Sequence, residues 1–525
     1  MDLSDYSIVN YLNDHSGYQC GYCGSSDANY SHGMWSYQLT CQDYEDLINR
    51  GCRRSGKYVY KPTMDKMCCP CYTIRQEALN FKLSKSQKKV LKKVNRYLST
   101  GEKRNMNSKD GKAEEDGDIE GENMEDGPSS SWMHEAADKI DKIGKDVTER
   151  KIGVSSSSKV SEDVDSSLSE EGKKKGVDER EVGAKDVVTS DEKPAKKQTK
   201  TPRPGEGADP GKPPCRKAKI IRKEKKLAKL AQKAASGSEV LKEDLQAGSE
   251  AGSKTQTSKS LEDFLQEDHV PGQEPKHKLE LQLIRTKPNS SEYRQTLSES
   301  HALFKKYQMV IHKEPEEDCK MTNFTRFLVD SPLTALYTIG GPKSGFGSFH
   351  QHYRLDGKLI AVAVLDILPH CVSSVYFYYD PDYKFLSLGT YSALREIALT
   401  RELNKKCQQI EYYYMGFYIQ NCIKMKYKGH FDPSFLLCPE VYSWNPIARC
   451  IPKLEVSAYS RLDETDAEDP PPDPEKVLIF YSQQIMPYKV FQLASRTGNY
   501  HTRDVTEYAS VIGKKCSEKI LLLLN

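Results

Sequence analysis

The sequence predicts an α/β (α+β) protein: a mixed-sheet domain with a small Cys-rich domain before it and a long polar insert between them. Three observations lead there. Residues 359–368 form a continuous apolar run, and residues 373–379 follow at once as a second β-rich run, so the two read as adjacent central strands. Residues 387–403 carry a strong helix pattern and 409–419 a further strand, and strand, strand, helix, strand makes a mixed layer. From about 99 to 275 Lys, Glu, Ser, Asp and Gly dominate and aromatics nearly vanish, so this stretch buries too little apolar surface to offset its ordering entropy and is expected to be disordered.

The elements follow in order. Domain bounds are expected at 1–98, 99–275, 276–450 and 451–525. The first segment holds Cys20-Gly-Tyr-Cys23 and Cys68-Cys69, a knuckle followed by a second close pair. Residues 84–98 place Val90, Leu91, Val94 and Leu98 at helical spacing, with lysines on the other face. Within the insert, 212–229 is a basic block, read as a solvated charge run or as a nuclear-import or RNA-contacting arm. Residues 278–285 alternate as a strand, and 290–312 form an amphipathic helix capped near Ser290. Beyond 450 an acidic, Pro-rich loop leads to a short strand and a final helix, expected to pack on the mixed-sheet domain.

Composition narrows the function. The 525 residues, 37% hydrophobic and 29% charged, carry a net charge of +3, which excludes a global field drawing the chain onto nucleic acid. Any basic function must be local. The first residues have no basic and apolar leader pattern, and no apolar run reaches the roughly 20 residues that span a bilayer. A cytosolic or nuclear protein with reduced thiols is therefore expected, and there clustered cysteines mean metal or chemistry. Cys20, Cys23, Cys68 and Cys69 are the metal ligands of choice, for zinc or an iron–sulfur cluster alike.

The element order is that of acetyltransferase-like (GNAT-like) folds, in which a Gly-rich loop opening the helix cradles the pyrophosphate of coenzyme A. Here residues 385–391 hold one glycine, Gly389, too few for that cradle, although a helix N-terminus still suits the phosphate of another donor. The glycines of 340–347 precede the strands and read as a loop.

Cys20-Gly-Tyr-Cys23, Ser55-Gly-Lys-Tyr-Val-Tyr-Lys-Pro62 and Cys68-Cys-Pro-Cys-Tyr-Thr-Ile-Arg75 resemble the N-terminal domain of the eukaryotic arginyl-tRNA–protein transferases. Phe324-Thr-Arg-Phe-Leu328, Gly347-Ser-Phe-His-Gln351, Leu355-Asp-Gly-Lys358, residues 373–382 and Tyr413-Tyr-Met-Gly-Phe-Tyr-Ile419 resemble their C-terminal domain. The match covers both ordered regions in the family's order and skips the insert. Tyr353-Arg354 stands where the family often has Tyr-Trp, and Cys71 is not required by the family motif. The resemblance implies transfer of arginine from Arg-tRNA to the α-amino group of proteins beginning with Asp, Glu or oxidised Cys, a product read by the ubiquitin system in cytoplasm and nucleus.

That reaction assigns roles. An acidic acceptor calls for a cation, with Arg326, Lys424, Lys426 and Lys428 as candidates. The donor guanidinium calls for carboxylates, with Asp380 and Asp382 as candidates. The tRNA calls for Lys88, Lys89, Lys92, Lys93 and the 212–229 block. His350 and Asp366 are the candidates for proton handling, against the plainer readings of a loop histidine and a strand-end cap. The partners implied are Arg-tRNA and proteins with acidic N-termini, with no membrane and a monomeric enzyme. The rivals are a coenzyme A-dependent acetyltransferase and a metal-binding, non-enzymatic adapter.

Overall fold

The computed structural model describes residues 3, 5–103, 259–266, 274–494 and 498–524. Two mixed sheets form the frame. The first has seven strands in the order β14-β13-β15-β1-β2-β4-β3. It comprises β1 (Ile8–Tyr18), β2 (Asn29–Gln38), β3 (Arg53–Ser55) and β4 (Tyr58–Pro62), joined by β13 (Leu478–Tyr481), β14 (Gln484–Pro487) and β15 (Leu521–Leu523). The second has eight strands in the order β12-β11-β5-β10-β9-β8-β7-β6. These are β5 (Tyr72–Glu77), β6 (Leu279–Arg285), β7 (Gly347–Leu355), β8 (Lys358–Ile367), β9 (Cys371–Tyr379), β10 (Tyr412–Tyr418), β11 (Ser434–Leu437) and β12 (Trp444–Pro446).

The pattern of each strand follows from its place. β8 is buried from its second residue to its last, which is why residues 359–367 read as a nearly unbroken apolar run. β6, at the sheet edge, alternates Leu279, Leu281 and Leu283 with exposed Glu280 and Gln282. β9 and β8 pair antiparallel, as the two runs suggested, whereas β10 joins β9 in parallel.

The helices complete the layers. α1 (Cys41–Ile48) packs with a C-terminal helix, Thr502–Ser517, which also lies on β1. α2 (Lys85–Thr100) starts at a capping box between Ser84 and Gln87 and stops at Gly101, whose φ of 71° suits glycine. Leu91, Val94 and Leu98 face inward, while Lys89, Lys92 and Lys93 are exposed. α3 (Leu261–Gln266), α4 (Ser291–Tyr307) and α5 (Leu388–Asn404) follow, with α5 packed on β9 and β10 and covered by α2 and α3.

Two expectations change. The insert expected to be disordered over 99–275 contains α3, which is ordered because Leu261, Phe264 and Leu265, at helical spacing, are buried against α2 and α5. The basic block 212–229 lies outside the described residues. The boundaries at 98 and 450 do not separate the chain into bodies: β5 from the first segment fills the gap between β10 and β11, and β15 from the last pairs with β1 and β13. Without β5, the edge of β10 opposite β9 would stand open. The two sheets are also pinned by charge. Arg54 of β3 donates from Nε to Asp366 Oδ2 at 2.8 Å and from Nη2 to Oδ1 at 2.6 Å, with both side chains buried.

Candidate active site

β9 and β10 pair only through Cys371–Tyr412, Val372–Tyr413 and Ser373–Tyr414. Beyond those residues the parallel ladder ends. The register of β10 on β5 shifts between Tyr414 and Phe417, and Gly416 there has a φ of 70°, a conformation that a side chain disfavours. The gap between the parting strands opens into a cleft with a cavity volume of about 130 Å³. Its walls are Ser373 to Phe377 of β9, Tyr413 and residues 415–417 of β10, and Gly389, Ser392 and Ala393 from the first turns of α5. Tyr44, Arg53, Arg54 and Tyr60 enter from the first sheet and its α1, and Lys428 from the turn after β10.

The start of α5 has no side-chain cap: Ser387, in the left-handed region at φ 55°, makes no capping bond, so the first amides carry the helix's positive end. Lys93 of α2 donates to Ser387 Oγ at 3.0 Å, which brings the basic face of α2 to the same end. Deep in the cleft, Tyr413 donates to Glu396 of α5 at 2.8 Å. Burial and Glu396 raise the Tyr413 pKa far above the ordinary phenol, so it stays a hydroxyl. The cleft thus combines cations, hydroxyls and a helix N-terminus, the donors that suit a polyanionic donor molecule and a developing oxyanion.

The cysteines lie next door. The Sγ atoms of Cys20, Cys23, Cys68 and Cys69 all fall within 4.8 Å of one another, with Cys23 and Cys68 at 3.4 Å. Four converging sulfurs from two loops fit a thiophilic metal. Hydrogen bonds from Ser25 bring Cys23 down to about 6, whereas burial pushes Cys68 up to about 12 and Cys69 up as well. Cys71, buried and bonded to the Cys69 carbonyl, stands outside the group of four. Cys20 and Cys69 share a small core with Phe417 of β10 and Ile419 just beyond its end. Tyr22, Tyr60 and Phe417 line both the cleft and the hollow beside Cys20 and Cys71, so the two sites are contiguous.

Other residues singled out from the sequence are placed as follows. His350 is fully buried, its Nε2 paired with the Leu328 carbonyl at 3.0 Å and its ring edge-on to Tyr293, and burial takes its pKa down to about 3. Asp366 is held by Arg54 and by Ser348 Oγ, at 2.7 Å from the hydroxyl. Neither His350 nor Asp366 lines the cleft. Asp380 is bound by Lys306 and Lys358 at 2.5 and 2.8 Å, and Asp382 by Lys306 at 2.7 Å, so both carboxylates are already neutralised. Lys424 and Lys426 are exposed on either side of Met425, which lines the cleft. Arg326 is half-buried, next to the cleft-lining Phe327. Lys88 is half-buried on α2. Arg53, Arg54, Tyr413 and Glu396 were missed; the doubled arginine before Ser55-Gly56 was the one visible signal.

Sequence comparison accords with this site. Residues 18–89 match the family model described as the N terminus of arginine-tRNA-protein transferase, and 299–438 match its C terminus. The chain is 38% identical to arginyl-tRNA–protein transferase 1 of Drosophila melanogaster over 98% of this chain and 99% of that one. It is 35% identical to arginyl-tRNA–protein transferase 2 of Arabidopsis thaliana over 84% of this chain and 76% of that one. A shorter match, 35% identical over 30% of this chain and 57% of its relative, is to the aspartate/glutamate leucyltransferase of Pseudomonas paraeruginosa. The cleft and these matches define an aminoacyl transferase, an enzyme that moves an amino acid from tRNA to a protein N-terminus. The chain belongs to the arginyl-tRNA–protein transferase family.

Proposed function

We propose that the cleft between β9 and β10 is where arginine passes from Arg-tRNA to the α-amino group of proteins beginning with Asp, Glu or oxidised Cys. The observation that carries this is the parting of β9 and β10 under the uncapped start of α5, the arrangement an acetyltransferase-like enzyme uses for its acyl donor. The basic face of α2 (Lys88, Lys89, Lys92 and Lys93) reaches that same end through Lys93 and supports a route for the acceptor arm of tRNA into the cleft.

Aminolysis of an ester is downhill, so positioning lowers the barrier most. Ser373, Ser374 and the first turns of α5 line the cleft and are the proposed surroundings of the tetrahedral oxyanion, and Tyr413, whose hydroxyl donates to Glu396, is the proposed source of a proton for the departing ribose oxygen. His350 and Asp366 hold the sheet rather than the substrate. Lys424, Lys426 and Arg326 stand at the rim, where an acceptor chain enters. Asp380 and Asp382 are committed to Lys306 and Lys358, so the donor guanidinium finds its carboxylate elsewhere. Zinc or an iron–sulfur cluster at Cys20, Cys23, Cys68 and Cys69 ties the 20–23 and 68–69 loops to the end of β10. The enzyme acts as a monomer in cytoplasm and nucleus and marks proteins for ubiquitin-dependent degradation. Among the described residues no helix is long and apolar enough to cross a membrane.

Incubating the protein with a peptide beginning in Asp and either Arg-tRNA or acetyl-CoA tests the reading. Arginine transfer alone supports it; acetyl transfer without arginine transfer overturns it in favour of the acetyltransferase, and no transfer from either donor favours the adapter.

A further inference from the structure

Two consecutive arginines on β3 have opposite environments. Arg54 is fully matched by Asp366. Arg53, 6% exposed and lining the cleft, has no carboxylate partner among the described residues. Its guanidinium donates from Nη2 to the Gly416 carbonyl at 3.0 Å and weakly from Nη1 to the Cys52 carbonyl at 3.4 Å, and Nε is buried without a partner. The rest of its surroundings are aromatic: Tyr414 and Phe417 lie 5.9 and 5.5 Å from its central carbon. Of five N–H donors in the planar fork, two are used, and an unpaired buried cation is costly. Desolvation pulls its pKa down accordingly.

A buried cation with spare donors, facing a cleft, is matched by an anion that arrives with a ligand. We infer that Arg53 is the specificity residue that receives the side-chain carboxylate of the acceptor's first residue, through the free Nε–H and a remaining Nη–H. The inference rests on the function proposed above and deepens it. A carboxylate fits better than a phosphate of the tRNA backbone. Arg53 is buried beside Tyr414 and Phe417, where a short side chain reaches it more readily than a sugar-phosphate backbone, whereas the lysines of α2 are exposed to such a chain. Gly416 is part of the same device: its left-handed backbone turns its carbonyl onto Arg53 and fixes the fork at the point where β10 leaves β9.

The test is arginine transfer by the full-length protein to two peptides identical except for Asp or Asn at the first position, compared for wild type, Arg53→Met, Arg53→Lys and Lys428→Met. Removing an unpaired buried charge leaves folding intact, which thermal unfolding checks. For R53M, kcat/KM with the Asp peptide should fall about 100-fold or more while the Asn peptide changes little, so the preference collapses. R53K should keep part of the preference, and K428M most of it. Should R53M not fold, R53K decides: it keeps the charge but loses the fork, so an unchanged Asp preference overturns the inference. A preference intact in R53M, or lost in K428M instead, also overturns it, as does weaker Arg-tRNA binding in R53M with the preference unchanged, which would assign Arg53 to RNA. Absence of transfer by wild type to either peptide would count against the proposed function, not against this residue alone.

Discussion

Asp366 was visible in the sequence as a carboxylate in an apolar strand, and a buried carboxylate requires a partner. Its partner, Arg54, lies 312 residues away, and no local pattern points to it. Breaking the pair leaves an uncompensated charge, so Asp366→Ala should cost about 3–5 kcal/mol in urea unfolding, and adding Arg54→Met should recover most of it. A catalytic base would instead show lost turnover with unchanged stability. His350 makes a second prediction. It and His352 are buried, with pKa values taken down to about 3 and about 4 by desolvation, and neither ring nitrogen of His352 has a hydrogen-bond partner among the described residues. Because the folded values lie below the ordinary imidazole, the unfolded chain binds more protons as pH falls. Stability is therefore full above about 6.5 and is lost toward the folded values. At pH 5 His350 alone accounts for about 2 kcal/mol of that loss. His350→Gln should flatten the acid limb of urea midpoint against pH; an unaltered slope would mean that the imidazole is not buried as a neutral ring.

At the scale of elements, pattern found β6, β8, β9, β10, α2, α4 and α5, β8 as an unbroken apolar run and the others by strand- or helix-like composition and spacing. It gave no account of β1 to β4 in the first sheet. β1 and β2 carry Asn, Tyr, Gly and Ser in mixed order and their pairing shifts register repeatedly, so alternation is broken where the chain bends. The partnership of β5 was hidden for another reason: a six-residue strand does not announce a partner more than 300 residues on. α2 is where element and function meet. Its exposed lysines are proposed to carry tRNA, so Lys89→Ser with Lys92→Ser should weaken Arg-tRNA binding and reduce the slope of log K against log salt by roughly 2, since each lysine removed leaves one phosphate with its counterion. An unchanged slope would place the RNA elsewhere.

Across the whole molecule, the chain is threaded so that both sheets need both sides of the insert, and the cysteine loops brace the end of β10 that forms one wall of the cleft. The four cysteines were legible from spacing; their proximity to the cleft was not, since it depends on where β10 ends. Cys20→Ser or Cys68→Ser should therefore release metal and lower the thermal midpoint and transfer together. Wild-type turnover in a stably folded, metal-free variant would make the site dispensable. Deleting 105–205, outside the described residues, should leave transfer nearly intact if the insert serves partners rather than chemistry. The central claim is that the gap between β9 and β10 is where arginine changes hands. Ser374 is half-exposed in that gap, and Ser374→Trp fills part of it while leaving the four cysteines and the lysines of α2 unsubstituted. Transfer from Arg-tRNA to an Asp peptide by this variant, with its thermal midpoint recorded alongside, should fall about 100-fold or more at nearly wild-type stability; a stable variant that transfers arginine at the wild-type rate would contradict the assignment.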